Sequence, residues 1–241
     1  MDSRLALVTG APIPIPECKI TVHQPTLEEI SYLGEEDFFI GMQTLTLNKS
    51  MFVEGKDVLD DISNFQIFMM VMSEKETRDK RAAVLQLLTI LFPEHKALLT
   101  PRSLLLNRGE NESIMIDETN FDALQSVLRL ISCANEGSMD QQAFNPANEQ
   151  AKEIAEKLMR GRQRVAAQNG SSNSSIFSQY LSSLAVGLQQ DLNSLKKLTM
   201  FQLYDLMERF VLHTNWDIDI RTRLAGGKPD SQPDNWMKNI H

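Results

Sequence analysis

Apolar side chains return every three or four positions along most of this chain, and that period predicts helices. Phe38, Phe39, Met42 and Leu45 form one stripe over 35–47, and Ile62, Phe65, Phe68, Met69 and Met72 form a second. Over 82–92 the run Val84, Leu85, Leu87, Leu88, Ile90, Leu91 and Phe92 is apolar nearly all round. Such a helix belongs at the centre of a bundle, and Pro93 ends it. Phe121, Leu124, Leu128 and Ile131 mark another helix, capped by Thr119 or Asn120, with Cys133 expected to be buried near its end. Phe177, Tyr180, Leu181, Leu184 and Leu188 repeat the pattern, and Leu192, Leu195 and Leu198 lead towards Met200, Leu203, Tyr204, Met207, Phe210 and Val211. After these a separate short helix is predicted. Thr214 or Asn215 would cap it, Asp217 and Asp219 would sit in its first turn, Arg221 and Arg223 in its last, and Gly226 and Gly227 would stop it. Trp216, Ile220 and Leu224 then share one face.

The breaks in the pattern are as informative as the pattern. Thr26 and Glu29, after Pro25, spell a capping box for a short helix that Gly34 ends near Leu33. The run 5–11 looks like the opening strand of a dinucleotide-binding unit. Pro12, Pro14 and Pro16 follow where that unit needs further glycines and a phosphate-binding helix, so the segment reads instead as an extended arm, with a short strand at 19–23. Residues 49–61 read as a loop and 74–81 as a charged link. Two short runs, 102–107 and 112–117, are compatible with a β-hairpin turning at Gly109.

Three parts result, with the fold mainly α: a helical N-terminal domain over 1–145 with a small β-hairpin, a charged connecting helix and linker over 146–175, and a small helical C-terminal module over 176–241. In the connecting helix Ile154, Ala155, Leu158 and Val165 leave a thin apolar stripe, and Glu153 with Lys157 and Glu156 with Arg160 are well-oriented pairs one turn apart. Arg160, Arg162 and Arg164 make its end basic. That end is either a solvated face of a helix linking two halves or a docking site for an acidic partner or nucleic acid; no aromatic interleaves the basic residues, which weakens a single-stranded nucleic-acid reading. The polar, Ser-rich run 169–175 reads as a linker. The C-terminal module is near the lower size limit for a self-supporting core.

Composition narrows the function classes. The chain has 241 residues, 42% hydrophobic and 23% charged, with a net charge of −8. That balance argues against a general nucleic-acid binder. Two cysteines, Cys18 and Cys133, build neither a disulfide framework nor a zinc cluster. No apolar run reaches a membrane span, and the first twelve residues do not read as a signal peptide. None of His23, His95, His213 and His241 falls in a metal or nucleophile motif; His213 reads as a half-buried structural residue. Glu35, Glu36 and Asp37 suit a helix dipole better than a metal. Asp217 and Asp219 open like a calcium loop, but Arg221 stands where a third ligand belongs. The expectation is therefore no enzyme, with no catalytic residue, metal or cofactor.

Residues 216–230 and 233–241 resemble the C-terminal end of phage tail assembly chaperones, proteins of tailed phages and prophages of Gram-positive bacteria. Residues 23–45 and 145–166 are similar to the same family. The resemblance implies a non-enzymatic protein that binds the tape-measure protein and recruits tail-tube subunits in the host cytoplasm during assembly. A structural tail or neck protein of the virion and a nucleic-acid-binding adaptor are the alternatives. Self-association stays open; a membrane partner is not expected.

The candidate partner-binding residues are Arg160, Arg162, Arg164, Trp216, Arg221, Arg223, Trp236 and Met237. Trp236 ends a proline-containing stretch without other large apolar groups. It is read either as an anchor on its own module, which the reading favours, or as a recognition element for a partner.

Overall fold

The computed structural model describes residues 3–48, 62–74, 78–109, 112–133, 175–227 and 235–237. The fold is mainly α, with two small antiparallel sheets. The chain divides into two compact units. The first holds Met1–Ala134 with Lys197–Phe201, the second Asn135–Lys196 with Gln202–His241.

The first unit opens on a helix, α1 (Ser3–Thr9), where the sequence reading expected an extended arm. Ala6 and Leu7 are buried, and Gly10, at φ 70°, closes the helix with Gly10 N–H donating to Leu7 and Ala11 N–H to Ala6. That is a left-handed glycine cap, so the glycine that suggested a nucleotide fingerprint is a helix terminator. The prolines begin only after it. β1 (Ile13–Ile15) pairs with β2 (Ile20–Val22), and Pro14 faces outward between the buried Ile13 and Ile15, which a two-stranded edge tolerates.

Thr26 caps α2 (Leu27–Leu33) with both bonds of the capping box formed. Leu27 N–H also takes the Leu198 carbonyl, and Thr26 bridges Thr199, which ties the 197–201 segment into this unit. α3 (Glu35–Leu45) lies tight on α5 (Arg78–Leu91). A Cβ placed on Gly41 would meet Leu87 Cδ2 at 2.9 Å and the Ala83 carbonyl at 3.2 Å. As expected for the central helix, Leu87, Leu88 and Leu91 of α5 are fully buried. Its helix begins at Arg78, within the stretch read as a charged link. α4 (Asn64–Ser73), with its own capping box from Ser63 and Gln66, packs on α6 (Phe121–Ile131) through Phe65, Phe68 and Phe121, with ring centroids 5.1 to 6.3 Å apart.

The hairpin is present as β4 (Leu104–Arg108) and β5 (Glu112–Ile116), turning at Gly109 with φ 66°. A third strand, β3 (Lys96–Leu99), pairs with β4 and was not foreseen. Leu99, Leu104 and Ile116 form an inward row, and Leu98, Leu105 and Met115 the next row facing out, as the two-residue period requires. Cys133 is half-exposed in a left-handed turn (φ 54°) after α6, rather than buried, because the helix has already ended at Ile131.

In the second unit α7 (Ile176–Leu188) starts at Ser175, whose hydroxyl accepts the Ser178 N–H. A short α8 (Leu192–Leu195) follows. The two predicted C-terminal helices are one. α9 runs unbroken from Met200 to Leu224, beginning in the first unit and continuing into the second. The proposed cap does not act as one: the Thr214 hydroxyl donates back to the Phe210 carbonyl at 2.8 Å, a bond made inside a helix. Asp217 and Asp219 likewise pair along the helix with Arg221 and Arg223. Gly226, at φ 87°, ends it, with Gly227 N–H reaching the Thr222 carbonyl and Gly226 N–H that of Arg223.

Calls that fall on 49–61 and on 134–174, including the connecting helix and linker, lie outside the described residues.

Candidate functional site

Among the described residues of the second unit Phe177, Leu184, Leu195, Leu203 and Leu212 are the buried apolar side chains. Tyr180 meets Tyr204 edge to face, with centroids 5.7 Å apart at 84°. One turn and more beyond, Gly187 admits the ring of Phe210: a Cβ there would lie 2.3 Å from its Cζ. Both contacts advance the same way along the two helices, so α7 and α9 run side by side in one sense. Two carboxylates are also buried on α9. Asp205 accepts from Arg209 at 3.0 Å, and Glu208 is 6% exposed.

The distal half of α9 and the tail form an aromatic group. His213 is exposed, with its ring centroid 6.1 Å from Trp216 and 5.0 Å from Trp236, the latter nearly perpendicular at 88°. Both tryptophans are half-buried, and Met237 beside Trp236 is 68% exposed. The Met237 N–H donates to the Asn235 side chain at 3.0 Å. Of the sequence candidates, Trp216 and Trp236 therefore come together, and they do so through a histidine that the sequence reading set aside. Its signal was available: His213 precedes Trp216 by three residues, on the same helical face. Arg221 and Arg223 are engaged with Asp217 at 2.9 Å and Asp219 at 3.2 Å. Arg160, Arg162 and Arg164 lie outside the described residues.

Exposed apolar groups concentrate in the same unit. Among the described residues, Val186, Leu188, Leu192, Ile218, Leu224 and Met237 are six of the thirteen large exposed apolar side chains, from a unit with less than a third of those residues. Val186, Leu188 and Leu192 crowd the corner where α7 ends and α8 begins.

The polar sites of the first unit are structural in their contacts. His23 Nε2 lies 3.0 Å from the Glu29 carboxylate, which also accepts the Thr26 N–H and hydroxyl at 2.8 Å each. Burial pushes the Glu29 carboxyl up, but the bonds from Thr26 and His23 together hold it below the usual carboxylate range. Two buried glutamines gather carbonyls. Gln24 Nε2 donates to Ala6 and Ala11, and Gln125 Nε2 to Leu45 and Leu47 at 2.9 and 2.8 Å. Each ties down a helix end. Burial, with the charges of Glu17 and Asp117, pushes the Cys18 thiol up to about 11, so it stays protonated and unreactive near neutrality. An open pocket of about 420 Å³ lies over Phe65 and Met69, rimmed by Arg102, Asp117 and Glu118. The two bonds from Thr119 to Asp117 hold that carboxyl below its usual range. Among the described residues no group of three or more His, Cys, Asp or Glu is placed to hold a metal ion, and no helix is long and apolar enough to cross a membrane.

Residues 170–241 match the family model described as YomV second domain, a phage-derived family. The match takes in α7, α8, α9 and the tail, and it agrees with a phage protein. No curated protein and no solved structure matches the chain.

Proposed function

We propose that the chain is a non-enzymatic phage tail assembly chaperone that binds the tape-measure protein and recruits tail-tube subunits in the host cytoplasm. The observation that carries the reading is the set of exposed apolar side chains Val186, Leu188, Leu192, Ile218 and Leu224 among the described residues of the second unit, within a segment that matches a phage-derived family. Exposed apolar side chains of this kind gain by being covered, and adaptable apolar contacts suit a chaperone. The sequence resemblance supplies the identity of the partners.

The test has two arms. Co-expression with the tape-measure protein should retain it on the tagged chain, and Val186→Ser with Leu192→Ser should weaken that retention at least about tenfold while leaving the helical content unchanged. Mass spectrometry of purified virions should find the chain missing or scarce. A fixed copy number per particle would replace the chaperone reading with that of a structural tail or neck protein. Retention unaffected by the double substitution would remove the apolar corner from the account.

A further inference from the structure

Three segments of the first unit meet around the open pocket: the first two turns of α4, the turn between β3 and β4, and the loop between β5 and α6. Its apolar wall is Phe65, Met69 and Pro101, and its rim carries Arg102 from the turn and Asp117 and Glu118 from the loop. These opposite charges line one pocket, yet among the described residues the Arg102 guanidinium forms no ion pair with either carboxylate. Charges of opposite sign, set apart around an apolar floor, are complementary to an occupant that brings its own two charges with an apolar group between them.

The backbone of both rims is fixed without that occupant. Thr100 Oγ1 accepts from the N–H groups of Arg102 at 3.4 Å and Ser103 at 3.0 Å, which holds the turn. On the other side Asp117 Oδ1 accepts the Thr119 N–H at 2.9 Å and hydroxyl at 2.6 Å, while Asp117 N–H donates to the Asn120 side chain at 2.9 Å. Gln66 Nε2 reaches Glu118 from α4 at 3.5 Å. Little beyond the exposed side chains of Arg102 and Glu118 has to order on binding.

We propose that this pocket is a docking site for a short peptide segment of a partner protein, one with an apolar side chain between an acidic and a basic one. The apolar side chain covers Phe65 and Met69, the acidic one meets Arg102, and the basic one meets Asp117 and Glu118. The thioether of Met69 adapts to apolar side chains of different shape. At about 420 Å³ the pocket lies near the lower end of the roughly 300–1,000 Å³ of ligand sites, which is room for a few residues. Its open mouth lets a chain enter and leave, whereas a small zwitterion of the same charges would keep much of its surface in water. The site belongs to the first unit alone, so it stands or falls independently of the apolar corner around Val186 and of the chaperone reading.

The experiment is NMR of the full-length chain with isotope-labelled methionine methyl groups. It is titrated with two blocked tripeptides, glutamyl-leucyl-lysine and its reverse. The Met69 methyl signal, assigned from its loss in Met69→Leu, should shift saturably with at least one of them, with a dissociation constant on the order of 1 mM or below. Replacing either charged residue of that peptide by glutamine should weaken binding roughly two- to fivefold, as exposed ion pairs do. Arg102→Gln should cost the same factor against the parent peptide and nothing against the peptide that already lacks its glutamate; Glu118→Gln should behave likewise towards the lysine. Both positions are exposed, and circular dichroism checks that each variant keeps its helices; if one does not, the cycle of the other still decides. No saturable shift at Met69 with either peptide up to roughly 10 mM overturns the site. So do losses in the two variants that are equal for charged and uncharged peptides.

Discussion

Gly41 offers the sharpest test of the first unit, because two opposing effects meet at one Cβ. Gly41 sits mid-helix in α3 without a left-handed φ, so alanine fits the backbone there. Helix propensity alone would make Gly41→Ala stabilising by about 1 kcal/mol. Against this, the new methyl would lie 2.9 Å from Leu87 Cδ2 and 3.2 Å from both Leu87 Cβ and the Ala83 carbonyl. Carbon atoms rest near about 3.5–4.0 Å, so the neighbours must move by roughly 0.5–1 Å in a region where Leu87 is fully buried. Overpacking of that kind costs about 1–3 kcal/mol. The net expectation is a loss of about 0–2 kcal/mol for alanine and more than about 3 kcal/mol for Gly41→Val, which places two further methyls on that β-carbon and has a lower helix propensity than alanine. The sign should invert when the obstacle is removed. In a Leu87→Ala background, itself less stable by about 2–5 kcal/mol, Gly41→Ala should stabilise by up to about 1 kcal/mol. Urea unfolding followed by far-UV circular dichroism measures the parent and each variant, since both tryptophans belong to the other unit and would not report this one. If Gly41→Ala stabilises the parent as much as it stabilises the Leu87→Ala variant, α3 and α5 do not approach as closely as described.

Two further outcomes follow from polar groups of the same unit. Gln125→Leu should cost about 2–4 kcal/mol in urea unfolding, because it leaves the carbonyls of Leu45 and Leu47 without their donor at the end of α3; a change within 0.5 kcal/mol would show that these two bonds carry nothing. Glu29 is held below the usual carboxylate range, so the unfolded chain takes up its proton first as pH falls. Its contribution is complete above the ordinary carboxylate range and is lost on acidification through the folded value, and Glu29→Gln should flatten the dependence of the urea midpoint on pH between about 6 and about 3.

Much of the helical frame was legible because its signals are local. The capping box at Thr26 and Glu29, the stripe of Phe65, Phe68 and Met72, and the all-apolar run around Leu87 and Leu88 each require only a short window of sequence. The outward row of Leu98, Leu105 and Met115 shows why β3 escaped. Its four residues alternate only between exposed and half-exposed, so no buried face announced a strand, and its partner in β4 is what makes it one. α1 escaped for a different reason. The prolines after it argue for an extended chain, and a glycine there fits a phosphate loop as readily as the helix cap that Gly10 forms. What Gln24 and Gln125 do was not legible at all, since nothing in a lone glutamine says that distant carbonyls will converge on its amide.

The C-terminal stretch carries the more general lesson. Thr214, Asp217, Asp219, Arg221 and Arg223 satisfy every local rule for a new helix, with an oxygen cap, acids first and bases last. The same residues satisfy the rules for the interior of a longer one, through Thr214 to Phe210, Asp217 to Arg221 and Asp219 to Arg223. Local pattern does not choose between them. The choice falls to the apolar side chains on either side of the junction: Phe210 seated against Gly187 and Leu212 buried before it, Trp216 and Ile220 half-buried after it. A break at Thr214 would turn those two sets to different directions, whereas one helix keeps them in register. That continuity also keeps His213 on the same helix as Trp216, one turn before it, where its exposed ring meets both Trp216 on the helix and Trp236 on the tail.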